Sequence, residues 1–286
     1  MQRINSTEEI RALVQTWRSA GDKIVIVPTM GNLHEGHTAL FRQAYKHGKR
    51  LIVTSFVNPM QFGPSEDFER YPRTPEVDGE VLTRSGCDVL FSPEVKDVYP
   101  RGLAFATRIQ VPGISEILCG EFRPGHFEGV ASVVLRMFNM VQPDFAVFGE
   151  KDFQQLQVIR RMTADLFLPV QIVSAPTVRA PDGLALSSRN VYLNEDEREV
   201  APQLYAELRR VADAIDTDDE SAKDLQVLET EARRNLRAAG FKIEYFTVRS
   251  ANTLLMPSLS ESELVVLAAA RLGRARLIDN IRATRP

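Results

Sequence analysis

Val27-Pro28-Thr29-Met30-Gly31-Asn32-Leu33-His34-Glu35-Gly36-His37 decides how the rest of the chain is read. It continues the apolar run Ile24-Val25-Ile26 and leads into a segment with Leu40, Phe41 and Ala44 at helical spacing. Strand, glycine-containing loop, helix is the order in which an open α/β sheet binds nucleotides. No Gly-x-Gly-x-x-Gly occurs here, which removes the dinucleotide fingerprint. In its place stand two imidazoles three residues apart, at the predicted helix start. Gly36 leaves room for a ligand against the backbone, and both rings can donate hydrogen bonds to phosphate oxygens. Donors aimed at a phosphate under attack stabilise its growing charge. Two histidines at this spacing also suit zinc, given a third ligand from elsewhere. Spacing alone leaves nucleotide chemistry, a metal site and an ordinary loop open.

Outward from this stretch the pattern repeats. A helix starting near Ser6-x-x-Glu9, with Ile10, Leu13, Val14 and Trp17 on one face, precedes it and ends at Gly21. Leu51-Ile52-Val53-Thr54-Ser55-Phe56-Val57 reads as a parallel strand buried on both faces. A helix over 74–85, a strand at 89–91, a looser stretch over 93–128, a helix over 130–141 and strands at 145–148 and 170–173 continue the alternation. The last helix of this series runs from about residue 151 to 167. Such alternation predicts an α/β fold: a Rossmann-like, mostly parallel sheet with helices on both faces. After residue 177 the order changes to helices followed by strands. Asn194-x-x-Glu197 is expected to start one long helix, 216–220 an acidic break, 221–239 a second helix, and 243–248, 264–270 and 275–281 strands. The expectation is a domain over 1–177 that binds nucleotide and substrate, and a smaller α+β C-terminal domain over 178–286 capping the site.

The chain has 286 residues and a net charge of −3, with no basic excess of the kind a nucleic-acid footprint needs. Two cysteines, Cys87 and Cys119, make no disulfide framework, so a reducing, cytoplasmic setting is expected. Neither a membrane-spanning apolar run nor a signal segment is expected from the pattern of residues. An enzyme acting on small molecules is the reading this favours.

Several loop residues carry chemistry. Lys151, just past a strand end and at a helix start, stands where backbone N–H groups favour anions, although a lone lysine is as often a solvated surface group. Ser187-Ser188-Arg189 offers hydroxyls and a guanidinium to a triphosphate, or is a polar turn. Gln61 and Gln155 are amides suited to orienting a small polar substrate. Arg123 and His126 read equally as surface groups or anion binders. Asp78 is the carboxylate best placed for Mg²⁺, although on sequence grounds alone a solvated helix face is the favoured reading of it.

Taken together, six ordered motifs resemble the pantoate–β-alanine ligase family. They are Pro28-Thr29-Met30-Gly31-x-Leu33-His34-Glu35-Gly36-His37, Phe56-Val57-Asn58-Pro59-x-Gln61-Phe62 and Arg70-Tyr71-Pro72-Arg73-Thr74. Arg123-Pro124-Gly125-His126-Phe127-x-Gly129-Val130, Phe148-Gly149-Glu150-Lys151-Asp152-x-Gln154-Gln155-Leu156 and Leu186-Ser187-Ser188-Arg189-Asn190 complete the set. The resemblance implies an ATP-dependent ligase of the nucleotidyltransferase-like superfamily that shares a His-x-Gly-His signature. It implies a two-step reaction through pantoyl adenylate, with pantoate, β-alanine and ATP as substrates, Mg²⁺, and a homodimer formed through the N-terminal domain. By the same resemblance His34 and His37 contact ATP phosphates, and Lys151, Ser187, Ser188 and Arg189 hold the triphosphate; these six form the catalytic set. Met30, Gly31, Phe148, Gly149, Asp152 and Val178 line the adenosine side. Gln61 and Gln155 bind pantoate, with Asn58, Met30 and Arg123 nearby, and Asp78 matches a magnesium position. Val77 and Val81 stand where some relatives have polar side chains, and Cys119 where some have glutamate. Rival readings are a nucleotidyltransferase that stops at a nucleotidylated product, a non-catalytic nucleotide-binding module and a histidine-based metal protein.

Overall fold

The computed structural model describes residues 1–64, 66–217 and 224–286. Two compact units account for them: Met1–Glu150 with Gln155–Pro176, and Lys151–Gln154 with Thr177–Pro286. Parts of the expected acidic break and of the start of the second C-terminal helix lie outside the described residues.

The first unit opens with β1 (Gln2–Ile4), a strand too short to show any periodicity in the sequence. α1 (Thr7–Ser19) follows, its N-terminus capped by Ser6 Oγ, which accepts the Glu9 N–H. Ile10, Val14 and Trp17 are buried along one face of it. The chain then runs through β2 (Ile24–Thr29), α2 (Glu35–Ala44), β3 (Arg50–Ser55), α3 (Pro75–Arg84) and β4 (Val89–Phe91). Two short helices, α4 (Val95–Val98) and α5 (Cys119–Phe122), lie in the stretch expected to be loose. α6 (His126–Val141) begins four residues before its apolar pattern does, directly after Gly125 in the left-handed region at φ +79°. β5 (Phe145–Gly149), α7 (Phe153–Asp165) and β6 (Gln171–Ala175) complete the series.

All six strands pair in parallel, in the order β1-β4-β3-β2-β5-β6. Ile24, Val25, Ile26 and Val27 are all fully buried, as are Ile52 and Val53. Consecutive buried residues point to opposite sides of a strand, so both faces of the sheet are covered. From β2 the order proceeds through β3 to β4 on one side, and from β5 to β6 on the other. The direction therefore reverses between β2 and β5. Ligands of open α/β sheets bind beyond the strand C-termini at such a reversal. The stretch 28–37 leaves the end of β2, and Phe148 and Gly149 are the last residues of β5.

In the second unit, α8 (Glu195–Val200), α9 (Gln203–Asp216) and α10 (Leu225–Ala238) precede an antiparallel sheet of β7 (Lys242–Ser250), β8 (Glu263–Leu272) and β9 (Ala275–Thr284). Asn194 and Glu197 form the expected reciprocal cap of α8. The single long helix expected from that cap is two helices, with Pro202 at their junction. Proline has no N–H for the helical ladder, and its ring clashes with the preceding turn. Leu204, Leu208, Val211 and Ile215 of α9 pack with Leu228 and Leu236 of α10 and with Val248 and Val266 of the sheet into one core. Among the described residues no helix is long and apolar enough to cross a membrane.

Candidate active site

The loop after β2 is held from beneath by a buried carboxylate. Gly31 and Asn32 adopt φ of +78° and +51°, which turns the chain back towards α3. There Asp78, only 3% exposed, accepts the N–H groups of Asn32 at 2.9 Å and Leu33 at 2.8 Å, and the Thr74 hydroxyl at 3.1 Å. A Cβ on Gly31 would lie 2.9 Å from both Asp78 Oδ2 and Ser55 Oγ, so this position needs glycine for space as well as for conformation. Asp78 is therefore not on a solvated helix face, because three local donors compensate its burial.

The two imidazoles cap α2. His34 Nδ1 accepts the Gly36 N–H at 3.1 Å, and His37 Nδ1 accepts the His34 N–H at 3.2 Å. Their ring centroids are 4.2 Å apart. With Nδ1 used as an acceptor, each neutral ring carries its hydrogen on Nε2 and is a donor there. Two N–H donors thus sit on the positive end of a helix. Among the described residues no three His, Cys, Asp or Glu come together to hold a metal, so the histidine-based metal reading finds no support. For the implied Mg²⁺ the same holds: Asp78 turns its carboxylate to the loop backbone, and Val77 and Val81 bring no ligand oxygen. These residues do not make a resident magnesium site.

Beyond β3, Asn58 caps the 3₁₀ turn Pro59–Gln61 by accepting the Met60 N–H. Asn58 Nδ2 donates to Gln61 Oε1 at 3.1 Å and to Gly129 O at 3.0 Å, and the Tyr99 hydroxyl donates to Asn58 Oδ1 at 2.6 Å. Gln61 Nε2 in turn lies 3.1 Å from Met30 Sδ. Gly129 allows this proximity, since a Cβ there would lie 2.5 Å from the Met60 carbonyl.

Arg123 is paired with a carboxylate of the chain itself. Its guanidinium forks onto Glu66 at 2.6 and 2.7 Å and donates to His126 Nε2 at 2.9 Å. His126 therefore carries its hydrogen on Nδ1, which donates to the Gln61 carbonyl at 2.8 Å. Burial pushes the Glu66 carboxyl up, but the Arg123 fork and the Gly63 N–H outweigh it and hold the group below its ordinary value. The pair ties the loop around Glu66 to the segment between α5 and α6. Gln155 is half-buried in the first turn of α7, and Phe148 is buried edge-on against Phe138. Burial also pushes the Cys87 thiol up to about 12, so it is no thiolate nucleophile at neutral pH.

In the second unit, Lys151 is part of a buried polar assembly rather than a solvated surface lysine. Its side chain is 18% exposed, and its Nζ lies 3.9 Å from Asp152 Oδ1. Its carbonyl accepts Asn280 Nδ2 at 2.9 Å. The neighbouring Asp279 is buried and receives a bidentate Arg179 at 2.5 and 2.9 Å. Arg179 also lies over the Tyr205 ring, 3.5 Å from its centroid. Burial pushes the Asp279 carboxyl up, against the pull of Arg179. Val178 accepts the Leu186 N–H at 2.9 Å, forming a narrow hairpin that delivers Ser187. Ser187 Oγ then caps the turn Ser188–Tyr192 by accepting the Arg189 N–H. A cavity of about 10 Å³, the size of one water, is lined by Lys151, Ser187, Asn190, Tyr205 and Asp279, among others.

Met30, Gly31, His34, His37, Asn58, Gln61, Asp78, Arg123, Phe148, Gly149 and Gln155 thus belong to the first unit. Lys151, Asp152, Val178, Ser187, Ser188 and Arg189 belong to the second. Tyr99, Glu66, Arg179, Asp279 and Asn280 were not singled out from sequence. Asp279-Asn280 carried a signal, because two adjacent polar residues interrupt the apolar pattern of Leu277, Ile278 and Ile281.

A parallel sheet whose order reverses beside an imidazole-capped helix defines an α/β protein of the nucleotide-binding kind. The sequence model of the family described as pantoate-beta-alanine ligase matches residues 2–282, and the chain belongs to that family. It is 52% identical, over the full length of both chains, to the pantothenate synthetase of Pseudomonas savastanoi pv. phaseolicola. The crystal structure of pantothenate synthetase from Thermus thermophilus superimposes with a TM-score of 0.92 at 43% identity, each chain fully covered. The pantoate-beta-alanine ligase of Francisella tularensis, solved with beta-gamma ATP and β-alanine, gives a TM-score of 0.80 at 33% identity, over 98% of this chain and 97% of that one.

Proposed function

We propose that this chain condenses pantoate with β-alanine at the expense of ATP, releasing AMP and pyrophosphate. The observation that carries the reading is the imidazole-capped loop at the reversal of the sheet, in a chain that matches the ligase family almost end to end. The Francisella relative, solved with beta-gamma ATP and β-alanine, supports ATP and β-alanine as two of these substrates.

The pantoate carboxylate attacks the α-phosphate of ATP, pyrophosphate leaves, and the β-alanine amine then attacks the acyl carbon of pantoyl adenylate and displaces AMP. A carboxylate is already ionised at neutral pH and needs no base for the first step. Alignment and charge neutralisation are what the protein supplies. In this reading the Nε2–H groups of His34 and His37 donate to phosphate oxygens, and Lys151, Ser187, Ser188 and Arg189 hold the triphosphate. Met30, Gly31, Phe148, Gly149, Asp152 and Val178 contact adenosine, while Gln61 and Gln155 bind pantoate beside Asn58. Arg123 acts through His126 and the Gln61 backbone. Mg²⁺ arrives with ATP as substrate, held by phosphates and water, as this ion commonly is. A homodimer and a cytoplasmic location complete the reading, the first supported by the family resemblance and the second by buried cysteines that form no disulfide.

Pantoate-dependent exchange of labelled pyrophosphate into ATP, with Mg²⁺ and without β-alanine, tests it. Exchange is expected. No exchange, with AMP released once β-alanine is added, would reject a separable adenylate and keep the ligase, and net release of product from ATP without any need for β-alanine would favour a nucleotidyltransferase.

A further inference from the structure

We infer that Tyr99 is a positioning residue that acts through Asn58 to fix Gln61 as a hydrogen-bond donor towards a pantoate oxygen. The inference rests on the proposed contact between Gln61 and pantoate and adds how its polarity is set.

A glutamine amide can present either its oxygen or its nitrogen, and the two ends differ little in shape. Here the choice is made one side chain away. Asn58 Oδ1 faces two donors, the Tyr99 hydroxyl at 2.6 Å and the Met60 N–H at 3.2 Å. Its Nδ2 faces two acceptors, Gln61 Oε1 and Gly129 O. Reversing the Asn58 amide would set its nitrogen against the Met60 N–H and its oxygen against the Gly129 carbonyl, so its orientation is determined. Gln61 Oε1 is then engaged by Asn58, and its Nε2 is the end left for another partner. That nitrogen lies against the Met30 thioether, a weak acceptor that a carboxylate or hydroxyl oxygen would outcompete.

The shortest bond in this relay is the one from Tyr99, and every member is buried: Asn58 at 1%, Tyr99 at 2% and Gln61 at 8% exposure. Burial pushes the Tyr99 hydroxyl up to about 12, with Arg136 pulling the other way, so it remains a donor across the neutral range. The ring is held independently of its hydroxyl, by Arg136 at 4.8 Å and Phe56 at 6.4 Å. Removing the oxygen alone therefore leaves the ring in place. A pocket built with one outward donor selects an oxygen acceptor and disfavours an acid bearing an ammonium group at that point.

The test compares steady-state kinetics of the full-length chain with Gln61→Ala, Tyr99→Phe, their double variant and Asn58→Asp. Tyr99→Phe is expected to raise KM for pantoate about 10-fold, the scale of one lost buried hydrogen bond, with kcat and KM for ATP within about twofold. In the Gln61→Ala background Tyr99→Phe should add less than about twofold, because the two act on one contact. Asn58→Asp, which puts an acceptor against Gln61 Oε1, should raise KM for pantoate further. If Gln61→Ala raises KM for pantoate while Tyr99→Phe leaves it unchanged, the relay is wrong and the pantoate contact stands. If Gln61→Ala leaves that KM unchanged, the contact itself fails, and the relay with it. Equal losses for ATP and pantoate in Tyr99→Phe would reduce Tyr99 to a structural residue and overturn the inference.

Discussion

Two buried aspartates hold two functional loops, and they do so by different means. Asp78 in the first unit is compensated by neutral donors: two backbone N–H groups and a threonine hydroxyl. Asp279 in the second unit faces a full counter-charge, the fork of Arg179. Neutral dipoles fix a backbone path, because each backbone donor belongs to one residue of the loop. An ion pair fixes a side-chain platform instead, from which the adjacent Asn280 reaches the Lys151 carbonyl. The first arrangement sets where amides and imidazoles lie, and the second sets where a lysine starts.

The sharpest way to break the comparison is to remove the counter-charge. Arg179→Met should destabilise the fold by about 3–5 kcal/mol, since it leaves a buried carboxylate unpaired. Urea denaturation of that variant reads this, and Arg179→Met with Asp279→Leu should recover much of the loss. A single-variant cost below about 1 kcal/mol, the scale of an exposed pair, would mean the ion pair is not what supports this unit. Lys151→Ala addresses what the platform delivers: turnover should fall roughly 10²–10³-fold, the effect of losing one transition-state donor. Urea midpoints close to the parent's would locate that loss in chemistry. Near-normal turnover would remove Lys151 from the mechanism.

Asp78→Asn should cost about 1–3 kcal/mol, because an amide NH₂ must then face a backbone N–H. Pyrophosphate exchange should fall with it, and raising Mg²⁺ should not restore it; recovery in excess Mg²⁺ would return Asp78 to the metal. The smallest effect concerns the Glu66–Arg123 pair. The Glu66 carboxyl sits below its ordinary 4.5 in the fold. Its stabilisation is therefore complete above that value and is lost as pH falls through the lower, folded-state value. The stability gap between the parent and Glu66→Gln should be widest at neutral pH and close below about pH 4.5. A gap that persists unchanged to about pH 3, well below the ordinary glutamate value, would contradict this.

How much of this is legible without the fold varies by element. β2 and β3 were readable because unbroken β-branched runs are what a doubly covered strand needs. The Asn194 cap was readable because capping is a local interaction between residues three apart. β1 was not, since three residues carry no period and only pairing with β4 defines the strand. The break at Pro202 was legible in principle, because proline alone suffices for it. Arg123 illustrates the other limit: its residue type suits an anionic ligand, yet Glu66, 57 residues away in sequence, supplies the carboxylate instead.

By itself the sequence determined the alternation of strands and helices, the strand–loop–helix stretch at 27–37 and the residue types that its chemistry requires, because each follows from local patterning and spacing. Tertiary structure alone decided which hydrogen each imidazole carries, that Asp78 serves a backbone rather than solvent, and that Asn58, held by Tyr99, Met60 and Gly129, turns its amide nitrogen to Gln61. Those outcomes depend on which groups the folded chain sets face to face. A side chain's donor or acceptor role is fixed by what faces it, and no spacing along the chain records that.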